Sequence, residues 1–197
     1  MLVSSYPLDL SFKIATIGTR IKVKDATGRR VAYVRKKKFK LKEEVGVYTD
    51  EDQSRLLFRM KADRMIDFSA RYAISSPDGH PIGAVGRRGM KSLWSSTYVL
   101  DDAYGTEAGS IREENPWTKV LDGVMEFLPL GDALGGLFFN PAYRAELYGR
   151  DVLRIQKQAS VLESSFRIDK LANFSDEEED LLLASIIMMV LLERDRG

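Results

Sequence analysis

Residues 181–192 read LLLASIIMMVLL, and this run decides the fold. A helix built from it is apolar on every side, so it must be enclosed either by lipid or by protein. Twelve residues rise only about 18 Å as a helix, whereas a bilayer core is about 30 Å thick and needs about 20 apolar residues. The run therefore predicts a helix that is wrapped by the rest of the chain.

The residues on either side of this run define the ends of the helix. Ser175 is a good N-cap, and residues 176–180, DEEED, place negative charge where the helix dipole favours it. Arg194 and Arg196 follow the apolar run, so charged flanks prevent it from being longer. Because the helix dipole accounts for the acidic residues, cation binding there is the less favoured interpretation.

The first two thirds of the chain show the alternation of half-buried strands. Apolar and polar residues alternate in 8–14 (LDLSFKI), 21–24 (IKVK) and 68–74 (FSARYAI). Turn-forming sequences separate such runs, and we identify four of them by their aspartates: Asp25, Asp50, Asp78 and Asp102. These aspartates are spaced by roughly 24 to 28 residues, which indicates repeated hairpins and an antiparallel meander. A sheet of this kind is what we expect to enclose the terminal helix.

A second helix is predicted over residues 115–128. Asn115 is a suitable N-cap, Pro116 suits the first helical position, and apolar residues then recur at helical spacing until Pro129. The segment that overlaps its end, 127–139, is apolar and rich in glycine. We expect this segment to pack over one opening of the barrel, with a partner or membrane contact as the alternative.

Composition limits the classes of function. The chain has 197 residues, which suits a single domain spanning 1–197. The net charge is +1, so no global attraction to nucleic acid exists, and nucleic acid is not an expected partner. The chain has no cysteine, which excludes disulfides, thiolate metal sites and cysteine nucleophiles. The first residues lack a secretory signal, so we expect a cytoplasmic protein, with peripheral membrane contact as an alternative.

Three segments resemble the LURP-one-related family: 31–41 (VAYVRKKKFKL), 47–50 (VYTD) and 70–79 (ARYAISSPDG). That family belongs with the tubby C-terminal domain and the phospholipid scramblases. The resemblance covers most of the chain and implies a tubby-like closed barrel of about twelve antiparallel strands around a hydrophobic C-terminal helix. It implies little about activity, although tubby domains bind phosphoinositides and scramblases associate with membranes. This chain departs from scramblases in its short apolar segment and its lack of cysteine.

The densest positive charge gives the candidate site. In residues 35–42, RKKKFKLK, an extended chain would place Lys36, Lys38, Lys40 and Lys42 on one face and the apolar residues on the other. Four ammonium groups on one strand face suit a phosphorylated head group or another anion. Arg87, Arg88 and Lys91 follow a neighbouring hairpin and are expected to extend the site. The alternative is a solvated face whose lysines protect the strand from edge pairing.

Other chemistry has weaker support. His80 is the sole histidine and lies in a turn sequence, where it is best interpreted as a turn residue. The acidic groups 50–52 and 101–102 match no EF-hand spacing, and the glycines at 131–136 match neither a P-loop nor a dinucleotide motif. We therefore predict no catalytic residue, no metal site and no cofactor.

These observations favour an uncharacterised, non-enzymatic binding module that recognises an anionic ligand, such as a phospholipid head group, through a basic strand face. One alternative is a structural or stress-related protein-interaction domain that uses residues 127–139. Another is a membrane-associated activity like that of phospholipid scramblases. Fold kinship alone does not decide between these functions.

Overall fold

The structure is a computed structural model, and it describes residues 4–13, 18–36, 44–66, 69–88, 97–114, 141–158 and 163–194. The predicted helix at 115–128 and the segment 127–139 lie outside the described residues, as do Lys38, Lys40, Lys42 and Lys91. What was predicted for them stays a prediction.

Twelve strands and one helix account for the described chain, in the following order: β1 (Leu8–Lys13), β2 (Thr19–Lys24), β3 (Arg30–Lys36), β4 (Val45–Tyr48), β5 (Leu56–Ile66), β6 (Ser69–Ser75), β7 (Pro81–Arg87), β8 (Thr97–Asp101), β9 (Glu107–Glu113), β10 (Ala142–Leu147), β11 (Arg150–Gln158), β12 (Glu163–Lys170) and α1 (Asp176–Arg194).

The strands form a closed antiparallel barrel. Each strand pairs with the next one along the chain, and β1 pairs with β12 to close the sheet, for example at Leu8 with Ile168. Closure leaves no unpaired sheet edge. The predicted meander and the barrel of about twelve strands are both confirmed.

The two ends of the barrel differ in their connections. At one end, which we call the turn end, short turns join β2 to β3, β4 to β5, β6 to β7, β8 to β9 and β10 to β11. We call the opposite end the loop end. The odd-numbered strands, from β1 to β11, finish there, and the even-numbered strands that follow them begin there. Because β12 finishes at the turn end, α1 enters the barrel there and runs toward the loop end.

Four of the turns share one hydrogen bond, in which a side chain accepts from the backbone N–H group four residues later. In the β4–β5 turn, the Asp50 carboxylate accepts it from the Ser54 N–H at 3.1 Å. In the β2–β3 turn, the Asp25 carboxylate accepts hydrogen bonds from the backbone N–H groups of Thr27 and Arg29, each at 3.0 Å. Asp102 does the same in the β8–β9 turn. In the β6–β7 turn this place belongs to Ser76, whose hydroxyl accepts from the N–H of His80 at 3.0 Å. Asp78 lies in this turn as predicted, and the hydroxyl of Ser76, two residues earlier, supplies the acceptor.

The helix α1 fills the barrel. Every residue from Leu181 to Leu192 is buried, and the inward side chains of the strands, such as Phe58, Tyr72 and Leu100, pack in the same core. Ser175 caps the helix as predicted. Its hydroxyl accepts a hydrogen bond from the Glu178 N–H at 3.2 Å, and the Glu178 carboxylate accepts one from the Ser175 N–H at 2.7 Å. This reciprocal capping box fixes where the helix begins.

Candidate anion-binding site

The described basic residues of the predicted site lie at the loop end. Lys36 is the last residue of β3, and Arg87 is the last residue of β7. Four strand steps separate β3 from β7 in the barrel, or about 19 Å around the sheet at a spacing of about 4.8 Å per strand. The two parts of the predicted site therefore share an end of the barrel without being neighbours.

Arg87 and Arg88 have different surroundings. Arg87 is half-buried and pairs in register with Tyr98, which points into the core, so Arg87 shares the inward face. Arg88 is exposed and forms an ion pair with Glu107 at 2.8 Å. The structure thus brings Arg87 to the mouth of the barrel and leaves Arg88 outside, with a carboxylate partner.

The mouth of the barrel holds a cluster of tyrosines around the end of α1. The Tyr98 hydroxyl donates a hydrogen bond to the Glu193 carboxylate. Burial, followed by the charge of Glu193, raises the pKa of the Tyr98 and Tyr143 hydroxyls above their usual range. Both phenols are therefore protonated at neutral pH and do not serve as general bases.

Two arginines on the outer face were not part of the predicted site. Arg20 of β2 and Arg35 of β3 are cross-strand partners, both exposed, at the loop end of this hairpin. The alternation of residues 20–24 places Arg20 outward, but its pairing with Arg35 depends on the register of the hairpin. A bulge between Val23 and Lys24 sets that register, and the sequence pattern gives no sign of it.

Next to this pair, two cations of the same strands share one carboxylate. The Glu51 carboxylate binds the Lys22 ammonium at 2.7 Å and the Arg30 guanidinium at 2.9 Å. The hydrogen bond from Lys22 is the largest influence on Glu51 and lowers the pKa of that carboxyl. Glu51 therefore offsets part of the positive charge of Lys22 and Arg30, whereas Arg20 and Arg35 have no described carboxylate within ion-pair distance.

A second arginine pair crosses two other strands. Arg144 of β10 and Arg154 of β11 are also cross-strand partners, and both bind the Glu114 carboxylate. The nitrogen–oxygen distances range from 2.9 to 3.3 Å. Burial acts to raise the pKa of the Glu114 carboxyl, but the hydrogen bonds and charges of Arg154 and Arg144 outweigh it and lower the pKa. Glu114 is thus held as a carboxylate between two guanidinium groups.

Acidic residues at the turn end serve the turns and ion pairs. The Thr27 hydroxyl is the main cause that lowers the pKa of the Asp25 carboxyl, and the Thr49 hydroxyl does the same for Asp50. Asp101 forms an ion pair with Arg71 at 2.7 Å. Within the residues that the structure describes, no three metal-ligating side chains gather in one place.

A shallow groove of about 490 Å³ lies at the turn end, lined by Tyr6, Pro7 and residues 169–173. The Lys170 ammonium lies 4.1 Å from the ring centre of Phe174 and 5.7 Å from that of Tyr6. Behind Tyr6 lies the carboxyl of Glu179, whose pKa is raised by burial. Because Lys170 already contacts two rings and the start of α1 is acidic, this groove suits an anion less well than the loop end does.

These observations define the class of protein. It is a closed antiparallel barrel of twelve strands, with an apolar helix in its core and exposed cations at its loop end. The family model described as LURP-one-related matches residues 30–191, and the chain belongs to the LURP-one-related family.

A protein from Arabidopsis thaliana, solved by X-ray crystallography, is similar in structure. It is 12% identical, with 95% of this chain and 93% of that chain covered and a TM-score of 0.48. No curated protein matches the chain. Among the described residues, no helix combines the length and the apolar character that crossing a membrane requires.

Proposed function

We propose that this chain is a binding module for an anionic ligand, such as a phospholipid head group, and that the ligand contacts the outer face at the loop end. The observation that carries the proposal is the position of the exposed Arg20 and Arg35, directly beside the start of the lysine-rich run. The core of the barrel is filled by α1 and by inward side chains of the strands, which favours binding on the outside.

We further propose that the module is not an enzyme. The carboxyls whose pKa is lowered, such as those of Asp25, Asp50 and Glu114, are engaged in turns or ion pairs. The tyrosines whose pKa is raised are protonated at neutral pH. An acid–base pair needs two titratable groups that are poised near neutral pH and share one pocket, and this arrangement supports binding instead.

The test is sedimentation of the full chain with vesicles. Vesicles of phosphatidylcholine alone are compared with vesicles that also contain an acidic phospholipid, at low and high salt. We expect retention on the acidic vesicles and its loss at high salt, because exposed charge contacts are screened. Equal retention on both kinds of vesicle, unaffected by salt, would overturn the proposal.

A matched pair of variants locates the contact. Replacing Lys38, Lys40 and Lys42 by glutamine is expected to weaken retention by at least about tenfold, since each basic residue near an anionic surface contributes about 1 kcal/mol. The control replaces Lys24, Lys61 and Arg150 by glutamine, which removes the same number of positive charges from other exposed parts of the barrel, and it is expected to bind like the original chain.

A further inference from the structure

We propose that Arg20 and Arg35 form a two-arginine clamp for a phosphomonoester dianion. This inference rests on the proposed function and narrows it to one ligand chemistry and two residues. It starts from the β2–β3 register, which makes the two residues direct cross-strand partners, both exposed on the outer face of the barrel.

The cross-strand geometry brings the two charges close together. Directly opposed residues in antiparallel strands have Cα atoms about 5 Å apart, so the two side chains extend side by side. Like charges in this arrangement destabilise a sheet. An anion bound between them removes the repulsion and gains charge-assisted hydrogen bonds from two planar forks.

Another arginine pair in this barrel binds a carboxylate. Arg144 and Arg154 stand in the same cross-strand relation, and the Glu114 carboxylate occupies the space between their guanidinium groups. Five hydrogen bonds reach its two oxygens, from the Nε and Nη2 atoms of both arginines. An arginine pair across two strands of this barrel therefore binds a carboxylate between its members, and Arg144 also binds Asp151 at 2.8 Å.

At Arg20 and Arg35 the protein supplies no such carboxylate from its described part. No described acidic residue lies within ion-pair distance of either arginine. The charge of Arg20 acts on Glu51, but the closer partners of that carboxylate are Lys22 and Arg30. The two flanking segments are uncharged, 14–17 (IATI), or mainly basic, 37–43 (KKFKLKE). Among the residues that the structure describes, no carboxylate takes the position that Glu114 fills in the other pair, and we propose that an external anion takes it.

Charge and shape favour a phosphomonoester over a carboxylate. Two guanidinium groups carry two positive charges, and a phosphomonoester carries about two negative charges at pH 7 because its second pKa is near 6. Its three oxygens allow each arginine to bind in a bidentate manner. A lipid head group and a free phosphate compound present this same group, and the experiment distinguishes between them.

The experiment uses the full chain with two probes. Binding of inorganic phosphate is monitored through the NMR shifts of the arginine Nε–Hε groups. Binding to lipid is measured by sedimentation with phosphatidylcholine vesicles, with or without phosphatidylinositol 4-phosphate. We expect phosphate to shift the Arg20 and Arg35 signals. Retention that requires the phosphorylated lipid assigns the clamp to a head group. Shifts without retention on these vesicles assign it to a soluble phosphate compound.

Three double variants test the clamp. Replacing Arg20 and Arg35 by glutamine should weaken binding at least tenfold, while the thermal midpoint stays equal or rises because the repulsion is gone. Replacing both by lysine keeps the charge and should also weaken binding, since an ammonium cannot bind as a fork. Replacing Arg55 and Arg150 by glutamine changes the net charge as much as the glutamine variant of Arg20 and Arg35 does. Both residues are exposed at the turn end, so this control should leave binding intact.

The failures are distinguishable. Suppose that the Arg20 and Arg35 variants bind as the original chain does, while replacing Lys38, Lys40 and Lys42 by glutamine abolishes binding. The clamp is then wrong and the proposed function stands. If neither phosphate nor any acidic vesicle binds the original chain, both are wrong.

Discussion

The hydroxyl of Tyr98 donates a hydrogen bond of 2.5 Å to the carboxylate of Glu193. This bond joins the start of β8, at the loop end of the barrel, to the last turn of α1. A carboxylate at this end of a helix opposes the helix dipole, so it needs a compensating donor. The tyrosine supplies one from inside the barrel wall. This bond secures the far end of the central helix against the sheet.

Replacing Tyr98 by phenylalanine is expected to lower the free energy of unfolding by about 2 kcal/mol, because a hydrogen bond to a charged group in a part-buried site is lost. Urea unfolding followed by circular dichroism measures this. Tyr104→Phe is the control, since Tyr104 is 94% exposed and should be unaffected by loss of its hydroxyl. Equal midpoints for both variants would show that the bond to Glu193 contributes nothing.

Glu179 makes the stability of the barrel depend on pH. Burial is the main cause that raises the pKa of its carboxyl, while Tyr6 and the charge of Lys170 act in the opposite direction. The folded chain therefore holds this proton at a pH where the unfolded chain has lost it. Stability from this group is full below the unfolded pKa, near 4.5, and falls as the pH rises through the folded pKa.

Glu179→Gln should remove that fall, because the amide stays neutral and still offers an oxygen to Tyr6. We expect the variant to gain stability relative to the original chain as the pH rises from 4.5 toward 7, measured by urea unfolding at several pH values. Glu177→Gln, on the exposed side of the same turn, is the control and should follow the original chain. A difference between Glu179→Gln and the original chain that is constant with pH would contradict the expectation.

Gly109 is required by close packing between β9 and β10. A Cβ atom at this position would lie 1.9 Å from the backbone oxygen of Glu146, which cannot move without breaking the sheet. Gly109→Ala should therefore cost about 3 kcal/mol, at the upper end of the range for overpacking. At Gly105, a Cβ would meet open space and only the positive φ opposes it, so Gly105→Ala should cost less. Thermal unfolding of the two variants compares them directly.

Ser175→Ala removes the serine half of the capping box at the start of α1. The expected loss is about 1 kcal/mol, because the Glu178 N–H in the first turn of the helix loses its acceptor. Ser5→Ala changes an exposed serine at the same end of the barrel and serves as the control. If chemical denaturation gave the two variants the same midpoint, the cap would not matter to folding.

The terminal run and the hairpins were predictable because each follows a local rule. An apolar run too short for a bilayer has to be buried in protein, and Ser175 with its acidic neighbours marks a helix start in any context. The aspartate turns were predictable for the same reason, although Ser76 rather than Asp78 supplies the acceptor in one of them. A serine hydroxyl and an aspartate carboxylate can accept the same backbone bonds, so residue type alone does not identify the acceptor.

The arginine pairs were not predictable, because they depend on register. The bulge at Val23 shifts the β2–β3 pairing by one residue, and without that shift Arg20 would have a different partner. The inward position of Arg87 has the same origin, since it follows from pairing with Tyr98. Long-range register therefore decides which of the charges at the loop end belong to one site.

The position of α1 has a consequence for how this protein is synthesised. The helix follows all twelve strands in the chain, so the ribosome releases every strand before the residues that fill the barrel. Until α1 is synthesised, the apolar faces of the strands have no helix to pack against. The edge of β1 also stays unpaired until β12 has been made. A transcript truncated before codon 176 would yield strands that cannot form a stable barrel, so proteases would remove incomplete chains while finished ones survive.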